Sequence, residues 1–193
     1  GNNANLTAEN NINSISSGMD GGIVAGNDVK LHSKNGDITN SGSQIAAGNN
    51  VSVIADEGNV DLIASVGRDN EGKQQIGTYA DGVTAGNNIE IVGKEVNVTA
   101  VDLTSTGSAD SEIKLKSTEG NVNFNDVHEV SSSYDSTSEE TGFLSSRSTE
   151  TITVDAVAKT AGVNTSGKFI VDAKENAVFH GGDYNSGSGS IKA

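Results

Sequence analysis

A Gly-Asn turn followed by alternating apolar residues recurs along the chain, as GNDVKL from Gly26, GNNVSV from Gly48 and GNNIEI from Gly86. In each copy the first and third strand residues are apolar (Val29 and Leu31, Val51 and Val53, Ile89 and Ile91), while Lys30, Ser52 or Glu90 lies between them. Side chains of an extended chain alternate between faces, so each copy reads as a strand with one buried face. Ile113 with Leu115 and Phe169 with Val171 extend the series, and Ala4 with Leu6 and Ile191 are partial copies.

Taking Val29, Val51, Ile89, Ile113 and Phe169 as anchors, a second apolar position lies nine residues on, at Ile38, Val60, Val98, Val122 and Val178. A third lies six residues before the anchor, at Ile23, Ile45, Val83 and Val163, with Gly107 the exception. The anchor spacing is 22 residues from Val29 to Val51 and again from Phe169 to Ile191, and 24 from Ile89 to Ile113. Two longer intervals are explained by extra residues between the second and third sites, where the basic gap of seven becomes 23 (Val60 to Val83) and 41 (Val122 to Val163). The insertions span about residues 66–81 and 128–160 and enter at one corner of the repeat.

Three short strands per turn of about 22 residues, joined by Gly, Asn and Asp, predict an all-β chain. The expected architecture is a right-handed parallel β-helix, a solenoid carrying two hairpin-like insertions, with residues 1–193 forming a single repeat segment. Its anchor column would read Ala4, Val29, Val51, Ile89, Ile113, Phe169, Ile191. Composition agrees, because 19 Val and 14 Ile against 6 Leu favour strand, and the absence of Pro suits unbroken ladders. With aromatics at 4%, the core must be thin and aliphatic. Neither end reads as a cap, which suggests a piece of a longer rod.

A formal charge of −14 repels phosphate backbones and anionic lipid, so nucleic acid and membrane insertion are not expected. Zero Cys excludes disulfides, thiolate metal sites and cysteine nucleophiles. His32, His128 and His180 are scattered over different turns, and no nucleophile-elbow sequence accompanies the many Ser and Asp. Asp56, Glu57, Glu119 and Glu175 are expected to share a corner, where stacked acids read as a solvated edge more readily than as a catalytic pair. The calcium nonapeptide is absent, although Gly181–Gly182–Asp183 resembles its opening, and no cofactor or metal is expected. Candidate partner contacts are Tyr79 in the shorter insertion and Tyr134, Phe143, Leu144 and Arg147 in the longer one. The alternative is that these side chains pack back on the rod.

The GNN-V-V and EGNV units, with ETGFLSSRSTET between two of them, resemble the haemagglutinin repeats of filamentous haemagglutinin and of contact-dependent growth inhibition exoproteins, over most of residues 21–193. The resemblance implies a non-enzymatic stalk, secreted through an outer-membrane pore to the bacterial cell surface. There such filaments adhere to a receptor or glycan on a host or neighbouring cell, or present a toxin. The Asn-Pro motifs of that family's secretion domain are missing from a chain without Pro, as is any toxin-like domain. A polysaccharide-binding or polysaccharide-cleaving β-helix is the alternative reading.

Overall fold

The alternating segments are strands, and they sort by position in the repeat into three parallel sheets. In the computed structural model, which describes residues 2–16, 21–68, 74–76, 82–142 and 145–193, the first sheet runs in the order Ala4–Ala8, Val29–Ser33, Val51–Ala55, Ile89–Gly93, Glu112–Ser117, Lys168–Asp172, Ser188–Lys192. The second holds Ile12–Ile15, Ile38–Ser41, Val60–Ile63, Val96–Thr99, Val122–Asn125 and Ala177–Phe179. The third holds Gly22–Ala25, Gln44–Ala47, Gly82–Ala85, Asp102–Ser105, Gly162–Thr165 and Tyr184–Asn185. The chain visits the three sheets in rotation and returns each time one strand further along, the order expected of a solenoid. There is no helix among the described residues.

Stacking follows the anchors closely. Ala4, Val29, Val51, Ile89, Ile113 and Phe169 are successive register partners, and two residues on so are Leu6, Leu31, Val53, Ile91, Leu115 and Val171. From Val29 to Phe169 the anchors are buried, and from Leu31 to Val171 the second column is wholly so. Each such side chain stabilises by about 1.5–3 kcal/mol, so many thin layers replace one bulky core.

Four positions depart from the sequence expectation, all because a corner changes length. The second site above Val60 is Val96, not Val98, because the corner after the first sheet is two residues shorter there: Ile89 to Val96 is seven residues, against nine from Val29 to Ile38. Val98 is buried one inward position further on, between Leu62 and Phe124. A corner shorter by one residue likewise pairs Ala177, not Val178, with Val122. The site assigned to Gly107 belongs to Leu103, which pairs with Val83 and Val163, because the next corner is four residues longer. Gly189, not Ile191, continues the anchor column, and Ile191 pairs with Val171.

The corners are held by side-chain ladders. The Asn50 carboxamide oxygen accepts the backbone N–H of Asn88, and that of Asn88 accepts the N–H of Glu112. Asp37 and Asn59 repeat the pattern at the next corner, toward Asn59 and Glu95. On the second sheet, Asn97 donates to Asp61 at 2.8 Å and Asn123 to Asn97 at 2.7 Å. The bonds to backbone N–H satisfy groups at the corners, while those on the second sheet tie successive turns together through their side chains. At the corner after the second sheet the backbone turns left-handed, at Gly42 (φ 62°) and, at some steric cost, at Ala100 (φ 55°).

Both insertions depart from that corner, each between a second-sheet and a third-sheet strand. The shorter is an antiparallel hairpin, Val66–Arg68 with Gln74–Ile76. The longer is a two-stranded arm, Val127–Gly142 with Ser145–Lys159. They leave from one flank, as expected, and the Gln74–Ile76 strand lies against both strands of the arm.

Near the arm's origin four rings cluster at the core. Phe124 stacks on Phe179 at 5.0 Å and meets Phe169 and Tyr184 edge-on at 5.9 and 5.4 Å. Burial pushes the Tyr184 phenol up from 10.0 to about 12, and its hydroxyl donates to the Gly181 carbonyl at 2.9 Å. The neutral phenol is therefore favoured by folding, and that contribution is complete below pH 10, where the unfolded chain is also neutral. It disappears as the pH rises toward 12, because the unfolded chain then releases a proton that the folded one keeps. Stability should accordingly fall between pH 10 and 12, and in Tyr184→Phe the fall should be shallower. Denaturant titrations of both proteins across that window check this, and identical slopes would contradict it.

Candidate functional site

The arm is where the coil stops repeating itself and offers new surface. Its root is fixed: Val127 and Val157 pack on the core, Lys159 Nζ lies 3.4 Å from Asp102, and Asp126 meets His128 Nε2 at 2.6 Å. The hydrogen bond from His128 holds the Asp126 carboxyl below its usual range, helped by a backbone N–H. Ile76 of the short hairpin is buried in the core and its strand contacts both strands of the arm, so the two insertions brace one another.

Beyond the root the two faces differ. Directly opposed residues of an antiparallel pair share a face, and one face gathers Val130, Ala156, Val154 and Ile152 before it turns polar at Ser136 and Glu150. Val130 is 68% exposed, Ile152 69% and Val154 63%. The reverse face carries Glu129 opposite Val157, Asp135 opposite Thr151 and Glu139 opposite Arg147.

Of the contact residues expected from sequence, Arg147 is exposed toward the far end of the arm, opposite Glu139. Tyr134 sits opposite Ile152, although its side chain is outside what is described. Tyr79, Phe143 and Leu144 lie outside the described residues. Ile152, Val154, Ala156 and Ala158 alternate along the arm's second strand, which runs from Ser145 to Lys159.

The acidic corner carries a lysine that the sequence reading did not place there. Lys94 Nζ lies 3.4 Å from Glu57 and 3.3 Å from Glu119, and those two carboxylates, Glu119 foremost, raise its pKa. Asp56 is paired separately, with His32 Nε2 at 2.8 Å. Glu57 and Glu119 are thus tied to one lysine along a solvated edge. Among the described residues no three His, Cys, Asp or Glu side chains are placed to hold a metal.

A cleft of about 290 Å³ at the foot of the arm was not anticipated from sequence. It lies on the outer face of the third sheet across three successive strands, and is lined by Asp102 and Thr104, by Gly162 and Asn164, and by Asp183 and Asn185. Gly162 is buried in its floor, and the Asp102 carboxylate lies over it, 2.7 Å from where a Cβ atom would stand. No side-chain hydrogen bond joins Asn164 to Asn185, its register partner, unlike the Asn97–Asn123 pair on the second sheet.

Comparison of the chain with family models, with curated proteins and with solved structures finds no match.

Proposed function

We propose that the chain is a right-handed parallel β-helical segment, with three strands per turn, of a large secreted bacterial surface exoprotein of the filamentous haemagglutinin and contact-dependent growth inhibition type. In this reading it is a non-enzymatic stalk whose long arm makes the cell contact, for adhesion or for bringing a toxin to a neighbouring cell. Its partners are a receptor or glycan on the opposing cell and, for the full-length chain, an outer-membrane secretion pore. The observation that carries the reading is the arm itself: some thirty residues leave the coil after Val122–Asn125 and rejoin it at Gly162–Thr165 without disturbing the register of the neighbouring strands. An insertion that packs Val127 and Val157 on the core at its root, yet holds Val130, Ile152 and Val154 in solvent beyond it, fits a contact element. The repeat and ETGFLSSRSTET resemblance supplies the family.

Beads coated with the chain, with Ile152→Ser/Val154→Ser, and with a variant lacking residues 127–158 test this on cultured epithelial cells and on bacteria. The parent should adhere to one of the two. The double variant should adhere about tenfold less, since a few exposed apolar residues dominate such contacts, while its melting temperature is unchanged. Equal adhesion by all three proteins overturns the reading. Release of reducing ends from a polysaccharide panel, lost in a carboxylate variant, would replace it with the enzymatic alternative.

A further inference from the structure

We propose that the cleft at the foot of the arm binds a neutral oligosaccharide lying along the coil axis. This adds a ligand site to the rod and does not depend on the arm's contact role.

The argument starts from how amide side chains are used elsewhere. Asn27, Asn49, Asn87, Asn97, Asn121 and Asn123 each bond an adjacent turn of the coil. In the cleft, by contrast, Thr104, Asn164, Asp183 and Asn185 make no side-chain hydrogen bond among the described residues. Their donors and acceptors face solvent as a set, in adjacent strands about 4.8 Å apart.

Charge and shape narrow the ligand. Asp102 and Asp183 repel an anionic glycan, and the whole chain, at −14, adds to the repulsion. Lys159 already partners Asp102, and no set of three metal-binding side chains gathers there among the described residues, so a bare cation finds too few ligands. What remains is a mixture of carboxylate acceptors, amide donors and acceptors, and a hydroxyl, which suits vicinal hydroxyl groups. Three strands span about 10 Å along the axis, room for roughly two sugar rings in a 290 Å³ cleft. Asn164 and Asn185, both exposed, present their amides from adjacent strands, and the Asp102 carboxylate lies over the buried Gly162 beside them.

The side-chain amide signals of Asn164 and Asn185 in a nitrogen-labelled sample test the proposal, with cellotriose, chitotriose, maltotriose and calcium ion titrated separately to millimolar concentration. At least one trisaccharide should shift both signals and leave that of Asn97 in place. Asn164→Ala and Asn185→Ala should each weaken binding about tenfold, the loss of one or two hydrogen bonds. Both changes are on the outer face, and a melting curve confirms folding. Loss of residues 127–158 should leave the shifts intact, which separates this test from that of the arm. No shift with any of the three sugars overturns the proposal, as do shifts that persist in both variants, or shifts of the same amides produced by calcium alone.

Discussion

Ile91→Asp is expected to destroy cooperative folding of the turns around it, while Glu90→Gln, one residue away, leaves the melting temperature nearly unchanged. Ile91 is wholly buried between Val53 and Leu115. Removing its side chain costs about 2–5 kcal/mol in lost transfer energy and cavity formation. The new carboxylate has no partner in that interior, so it must stay charged or take up a proton, and either adds several kcal/mol. The sum is comparable with the about 5–15 kcal/mol that holds a whole domain. The Ile89–Gly93 strand pairs in its parallel sheet with Val51–Ala55 on one side and Glu112–Ser117 on the other, so the damage should spread outward to both. Glu90 points outward and loses only its ion pair with Lys114, at 3.4 Å, worth under about 1 kcal/mol in solvent. Circular dichroism melts with limited proteolysis compare the two, and Ile91→Ala supplies a graded intermediate. Equal melting of Ile91→Asp and Glu90→Gln would place residue 91 outside the interior and remove the stacked column from the description.

The contrast between these neighbours explains what the sequence could reveal. A strand's two faces alternate residue by residue, so Val29, Val51, Ile89 and Ile113 announce both strand and buried face without any knowledge of the corners. Corners carry no such signal. Val96 and Val98 are both apolar and both buried, so alternation cannot say which of them sits over Val60; only the length of the Lys94–Glu95 corner decides. Leu103 escaped for the same reason, its corner being longer, which left Gly107 at the expected distance from Ile113. The insertions were visible as excess length between two recognisable sites, and their shared flank followed from arithmetic. The cleft was invisible because Asp102, Gly162 and Asp183 are brought side by side only by the 41-residue interval between Val122 and Val163 and by the turn after it. Its amides look like every other turn Asn until the ladders show which of them are already used. Lys94 between Glu57 and Glu119 is similar, a pairing set by register across three turns.

The second large effect is expected at Phe124. It is fully buried and contacts three of the rings in the coil, and it lies three residues before the arm begins at Val127. Phe124→Ala should cost about 3–5 kcal/mol from lost burial and the cavity left behind, with up to about 1 kcal/mol more for each well-oriented ring contact. For a chain of this size each kcal/mol lowers the melting temperature by about 2–4 °C, so a drop on the order of 10 °C or more is expected. Phe124→Leu refills most of the volume and should recover more than half of it. The same change should reach Tyr184, whose ring meets Phe124 edge-on at 5.4 Å and whose raised pKa comes from burial alone. With the neighbouring ring gone, water reaches the phenol, and its titration should move from about 12 back toward 10.0. An ultraviolet titration of Phe124→Ala against the parent, with Tyr184→Phe to identify the signal, reads this directly. A large loss of stability with no change in the Tyr184 titration would mean that the phenol is shielded by Phe179 and Phe169 without help from Phe124. The rings would then be two separate contacts, and the arm's root would rest on Phe124 and the aliphatic columns beneath it.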